Sequence, residues 1–280
     1  MMVSLVVYFV CAMVVIQLWR QNRKRFNGIG FLALNYALQT AGLFALVTRG
    51  AIPEGVSIAF TNGLMVAGVI FGYYGFTLFC GKPQRIRMWV ILFAAFMLAQ
   101  FYWYAIEPNM MWRKVNSSAV LVVAGLLTAY FLLFMADKTT RYFTSLVGRI
   151  HLFYAAFFAV RAVIAFFEHR VNAGFFDPNT WESVLGLFYP PLFVLMTFSV
   201  GVMINRRLGW ETEQAKAELK VLSGLLPICA HCKNVRDDRG YWNQIETYIS
   251  LHSEADFSHG ICPECEHKYY VNTADRPRIN

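Results

Sequence analysis

Charge is scarce in this chain. Of 280 residues only 15% are Asp, Glu, Lys or Arg, whereas 57% are hydrophobic and the mean hydropathy is +0.43. Soluble domains carry about 25% charged residues, and a globule in water cannot hide so much apolar surface. The shortage excludes an ordinary water-soluble enzyme. Acidic residues are rarest in the first three-quarters: 1–204 hold six Asp and Glu against 15 Lys and Arg, whereas 205–280 hold 11 against 10. The net charge of +8 therefore belongs to the apolar part. The near-neutral tail argues against nucleic acid as a partner. Cysteine is sparse and split: Cys11 and Cys80 lie in apolar runs, and the other four fall in the last 52 residues.

What is abundant is long apolar sequence. A bilayer core needs roughly 20 apolar residues per helix. Seven such runs lie near 2–19, 29–48, 56–79, 87–106, 117–136, 146–168 and 183–204. The first has no Lys or Arg before its apolar stretch and no small-residue cleavage site after it, so it reads as a retained helix. Lys and Arg alternate between the connections. One side collects twelve (Arg20, Arg23, Lys24, Arg25, Lys82, Arg85, Arg87, Lys138, Arg141, Arg149, Arg206, Arg207), and the other four (Arg49, Arg113, Lys114, Arg170). The richer side is expected in the cytoplasm, with the N-terminus outside and the tail inside. The outer connections are too short for a folded ligand-binding domain. Lysine is absent from 183–204, which excludes a retinal Schiff base in the last span.

Ionisable and amide side chains inside a membrane are expensive and mark candidate sites. Arg161 lies deep in the sixth run, with Glu168 about two turns on. Asn35 and Gln39 are one turn apart in the second run, and Asn62 lies near the start of the third. These five form the candidate ligand or signal site. The alternative for the amides is hydrogen bonding between helices, and for Arg161 a bond to backbone carbonyls or an interface. Gly68 and Gly72 allow close helix approach. Pro190 and Pro191 are expected to kink the seventh span midway.

The runs Arg25-Phe-Asn-Gly-Ile-Gly30-Phe-Leu-Ala-Leu-Asn-Tyr36, Thr48-Arg-Gly-Ala-Ile-Pro53, Thr61-Asn-Gly-Leu-Met-Val-Ala-Gly68, Phe79-Cys-Gly81 and Phe157-Phe-Ala-Val-Arg161 resemble the N-terminal membrane sensor region of many bacterial diguanylate cyclases. The likeness covers roughly residues 20–170 and implies a sensory input module. Those enzymes carry a Gly-Gly-Asp/Glu-Glu-Phe signature after the last span. This chain has no Gly-Gly pair anywhere, so cyclase activity does not carry over.

Residues 208–226 are rich in helix formers. Leu208, Ala215 and Leu222 recur every seven residues, a short coiled-coil pattern compatible with a homodimeric connector or with a helix packed on its own tail. Then come Cys229-Ala-His-Cys232 and Cys262-Pro-Glu-Cys265. Two Cys-x-x-Cys pairs in one short segment are the pattern of a four-thiolate zinc site. Disulfides are disfavoured by a reducing compartment, and a thioredoxin-like pair by the lack of a βαβ frame. His231, His252 and His259 are candidate substitute ligands or hydrogen-bond partners of a ligand. A segment this small usually needs a metal or disulfide staple. Trp242, Ile245 and Ile249 are spaced as one face of a short helix. The stretch 226–270 is similar to a cysteine-rich module at the C-termini of bacterial signalling proteins. The likeness rests on Leu226-Pro-Ile-Cys229, Lys233, Arg236-Asp237, Gly240-Tyr-Trp242, His252-Ser253 and Phe257-Ser-His259-Gly-Ile-Cys262-Pro-Glu-Cys265.

The expectation is an all-α polytopic membrane bundle of seven transmembrane helices (1–207), a short helical connector (208–226) and a small zinc-ribbon-like cytoplasmic domain (227–280). Structural zinc is the expected cofactor. The lipid bilayer and a cytoplasmic signalling protein are the expected partners, and the bacterial inner membrane the expected location. The expected role is sensory rather than enzymatic, since 76 residues after the last span cannot hold a kinase or cyclase. A transporter or channel with a regulatory zinc-binding tail is the alternative, and flux in liposomes separates the two.

Overall fold

The computed structural model describes residues 2–51, 53–83, 87–167, 181–223, 226–237, 239–253 and 255–269. The chain divides into two units, Met1–Leu208 and Gly209–Asn280.

The first unit is built from helices α1 (Met2–Asn22), α2 (Ile29–Val47), α3 (Glu54–Phe79), α4 (Arg87–Phe101), α5 (Met110–Tyr130), α6 (Lys138–Phe167), α7 (Trp181–Gly186) and the start of α8 (Tyr189–Ser223). α4 and α5 each end in a wider π turn, Tyr102–Ile106 and Phe131–Met135. Seven segments are long and apolar enough to cross a membrane; this is a multi-pass membrane protein. Its surface agrees with lipid as solvent: Ile91, Leu98 and Phe198 are more than 60% exposed, which water would penalise and hydrocarbon does not.

α2 packs along α3 and α5 along α6, with α1 on α2 and with α4 and α5 joining α3. Val15, Ile29, Leu32, Leu132, Val147, Met203 and Ile204 are fully buried. α2 starts at Gly28, whose φ of +89° and contact with α3 leave no room for a side chain.

The basic residues at one end hold carbonyls that helix termini leave unbonded. Lys82 Nζ donates to Met135 O (2.7 Å), and Arg141 Nη2 to Phe134 O (3.0 Å) and Ala136 O (2.9 Å). Arg207 Nη1 donates to Phe79 O (2.7 Å), with its guanidinium over the Phe26 and Phe79 rings at 4.6 and 4.7 Å.

Three sequence expectations are corrected. α5 begins at Met110 and α6 at Lys138, so Arg113, Lys114 and Arg141 stand on helices rather than in connections. Asn109 caps α5, its Oδ1 accepting Trp112 N–H at 3.2 Å. Pro190 and Pro191 do not kink a span midway. The helix breaks at Leu187 and Phe188, and the prolines occupy the first turn of α8, where their missing N–H groups leave nothing unbonded.

The second unit is small. Ile228 bridges Val235, and β1 (Val235–Arg236) pairs antiparallel with β2 (Trp242–Asn243). Two short helices follow, α9 (Ile245–His252) and α10 (Pro263–Tyr269). Trp242 therefore belongs to a strand, not to the helix of Ile245 and Ile249. Val235 is the one fully buried apolar residue among the described residues of this unit.

Candidate functional site

The five residues singled out in the bundle fall in different places. Asn35 and Gln39 lie on the α2–α3 contact, with Gln39 Nε2 donating to Asn35 Oδ1 at 3.1 Å. Asn35 fills the space that Gly72 leaves: a methyl there would stand 2.9 Å from its Nδ2. These amides pack two helices.

Asn62 and Arg161 both reach α5, at adjacent serines. Ser117 Oγ accepts from Gln100 Nε2 (2.6 Å), and its one proton has Asn62 Oδ1 (3.2 Å) and Arg113 O (2.9 Å) as acceptors. Gln100 Nε2 also donates to Arg113 O at 3.2 Å. Arg161, 6% exposed, donates from Nη1 to Ser118 Oγ at 2.9 Å, and that hydroxyl donates to Lys114 O at 2.8 Å. Glu168 lies outside the described residues.

Sequence reasoning missed Gln100, Arg113, Ser117 and Ser118. The legible signal was Asn109 as a helix cap followed by polar residues four apart, 113 with 117 and 114 with 118, which places each pair on one helix face.

In the tail, Cys229-Ala-His-Cys232 forms the tip of a tight hairpin. Cys229 N–H donates to Asn234 O (2.8 Å), Lys233 N–H to Cys229 O (3.0 Å), and Arg236 N–H to Pro227 O (2.9 Å). Lys233 takes a left-handed backbone, φ +63°, to close the turn. The turn aims N–H groups at sulfur: those of Cys232 and His231 hold the Cys229 thiol below its usual range. The second pair opens α10. There the Cys265 N–H, the Cys265 side chain and the Glu264 N–H act on Cys262 in the same direction. Cys229 and Cys262, one in each pair, thus favour thiolate, the form that binds metal. This donor chemistry suits zinc.

Among the described residues no three His, Cys, Asp or Glu side chains are gathered as a ligand set. His252 Nδ1 is engaged with Tyr248 O at 2.7 Å, and its ring stacks on Tyr248 at 4.2 Å.

Asp237 organises the turn between β1 and β2. Its Oδ1 accepts Tyr241 N–H (2.8 Å) and Arg239 N–H (3.0 Å), and its Oδ2 accepts Asn243 Nδ2 (3.1 Å). The Tyr241 N–H, first among these, holds the carboxyl below its ordinary value. A carboxylate with a lowered folded pKa adds stability above the unfolded value, about pH 4, and loses it as pH falls through the folded one. Amide-exchange protection of Arg239 and Tyr241 is expected to fall on acidification below that point. Asp237→Asn should remove this acid dependence, and an unchanged pH profile in that variant would refute the assignment.

Comparison with protein-family models, with curated proteins and with solved structures finds no match for this chain.

Proposed function

We propose that this protein is a sensory signal-transduction component of a bacterial inner membrane. In this reading the bundle is the input, α8 the connector, and residues 227–280 a zinc-stabilised cytoplasmic docking module for a signalling protein. The N-terminus is outside and the tail inside. Cys229, Cys232, Cys262 and Cys265 hold the ion, which supplies a closed structural cross-link rather than catalysis.

The observation that carries the module is the presence of two Cys-x-x-Cys turns, each with one thiol held below its usual range, in a unit where Val235 is the one fully buried apolar residue among the described residues. Such a segment lacks the apolar burial to stand without a staple. The sidedness is supported by the cations that cap helix ends on the lysine- and arginine-rich side.

Transmission is supported by a helix that runs unbroken from Tyr189 to Ser223. Arg207 ties it to the end of α3 through the Phe79 carbonyl. Ala215 of the heptad is exposed in the single chain, so the pairing partner is a second copy. The test is a photo-crosslinker at Ala215 in full-length protein in membranes. Arg161→Gln and Asn62→Ala are expected to change the dimer crosslinking yield at least about twofold, a shift of roughly 0.4 kcal/mol. Yields equal to the parent in both would defeat the coupling.

A further inference from the structure

At the bundle end opposite the carbonyl-capping cations, the Arg113 guanidinium has a second arginine and one carboxylate in its neighbourhood. Arg113 stands on the first turn of α5, its guanidinium carbon 5.5 Å over the Tyr104 ring. Tyr104 packs on the first turn of α3 so closely that a methyl at Gly55 would lie 2.8 Å from it. Arg49, in the turn after α2, and Glu54, which opens α3, are within electrostatic reach of the Arg113 guanidinium.

Both arginines are half-buried. The Nε of each is enclosed without a hydrogen-bond partner. Among the described residues neither forms an ion pair. Gln100 lies one hydrogen bond below, through the Arg113 carbonyl. It is 4% exposed, and its Oε1 is also enclosed without a donor.

Two like charges drawn together and partly desolvated oppose folding, and one nearby carboxylate does not neutralise both. Unused N–H donors on two planar forks match the oxygens of a phosphate group. The idle Gln100 acceptor suits a hydroxyl carried by the same ligand.

We propose that Arg49, Arg113 and Gln100 form a binding site for a phosphate group, delivered either as inorganic phosphate or as the headgroup of an anionic lipid. The two arginines grip the phosphate oxygens, and Gln100 Oε1 accepts from a P–OH or headgroup hydroxyl. This goes beyond the sensory reading. A phosphate that binds without altering crosslinking at Ala215 leaves the site standing and is not the stimulus of the sensory reading.

The test uses the full chain in two settings. In detergent, thermal unfolding is followed while inorganic phosphate replaces sodium chloride at matched ionic strength. In nanodiscs, phosphatidylcholine alone is compared with phosphatidylcholine plus phosphatidylglycerol. Phosphate or phosphatidylglycerol is expected to raise the melting temperature of the parent. Arg49→Gln and Arg113→Gln are expected to weaken the apparent affinity at least tenfold.

A response in detergent assigns the free anion as the source, and one confined to phosphatidylglycerol discs assigns the headgroup. Arg49→Gln carries a second readout that a structural role would not give. Removing one of two repelling charges should raise the melting temperature without ligand. The proposal is overturned if neither phosphate nor phosphatidylglycerol stabilises the parent, or if both variants respond as the parent does.

Discussion

Gly28→Ala is expected to abolish most of the stability of the bundle. Gly28 precedes α2 with φ +89°, and a methyl there would lie 2.8 Å from Phe79 N and closer still to the Gly75 carbonyl oxygen. A left-handed backbone costs a non-glycine residue about 1–2 kcal/mol. Overpacking against neighbours that cannot yield adds about 1–3 kcal/mol. Both obstacles are backbone atoms of α3, so no side-chain rotation relieves them. The carbonyl of Gly28 also accepts Phe31 N–H at 3.0 Å and Leu32 N–H at 3.2 Å; a shift that spares the clash therefore loosens the first turn of α2.

Gly50→Ala separates the two contributions. Gly50 has φ +108° with nothing within 4 Å of the added methyl, so it carries the backbone strain alone. Unfolding of both variants in detergent, followed by circular dichroism, should rank Gly28→Ala well below Gly50→Ala and the parent. Equal melts for the two alanine variants would show that the α2–α3 approach is not the limiting contact.

Chelation is expected to unfold the tail while leaving the bundle intact. Structural zinc contributes apparent binding energies of about 10–16 kcal/mol in small metal-dependent folds. Against this the described residues of the tail set Val235 and little other buried apolar surface. Full-length protein treated with a strong chelator should gain four rapidly reacting thiols. Cys11 and Cys80, buried in the bundle, stay slow. Cleavage after Lys233, Arg236 and Arg239 by a trypsin-like protease should accelerate in step, and the melt of the bundle should not move, because the two parts are separate compact units. Four thiols that react at full rate before chelation, in a tail that resists the protease, would rule the metal out.

The spans were legible because a bilayer imposes continuous apolar length, and that demand is written residue by residue. The starts of α5 and α6 were not. Arg113, Lys114, Lys138 and Arg141 read as connections because a charge normally ends a membrane run. Here helix geometry lets Arg141 reach carbonyls and Arg113 the Tyr104 ring at the rim. Pro190 and Pro191 misled for a related reason. Proline signals a break, but only the position of the first turn tells whether it kinks a helix or begins one.

The amides divided on geometry as well. Asn35, Gln39 and Asn62 looked alike as polar residues in apolar runs. The first two meet the glycine face of α3, whereas Asn62 joins a chain through Ser117 to Gln100.

Composition and the length of the apolar runs decided by themselves that this protein belongs in a membrane with seven spans. That is a local demand, set by solvent. Which polar groups meet was decided only by the tertiary structure. Bringing Asn62 and Gln100 to Ser117, or Asn35 to Gly72, depends on how α2, α3, α4 and α5 pack, and contacts between distant segments leave no periodic trace in the chain.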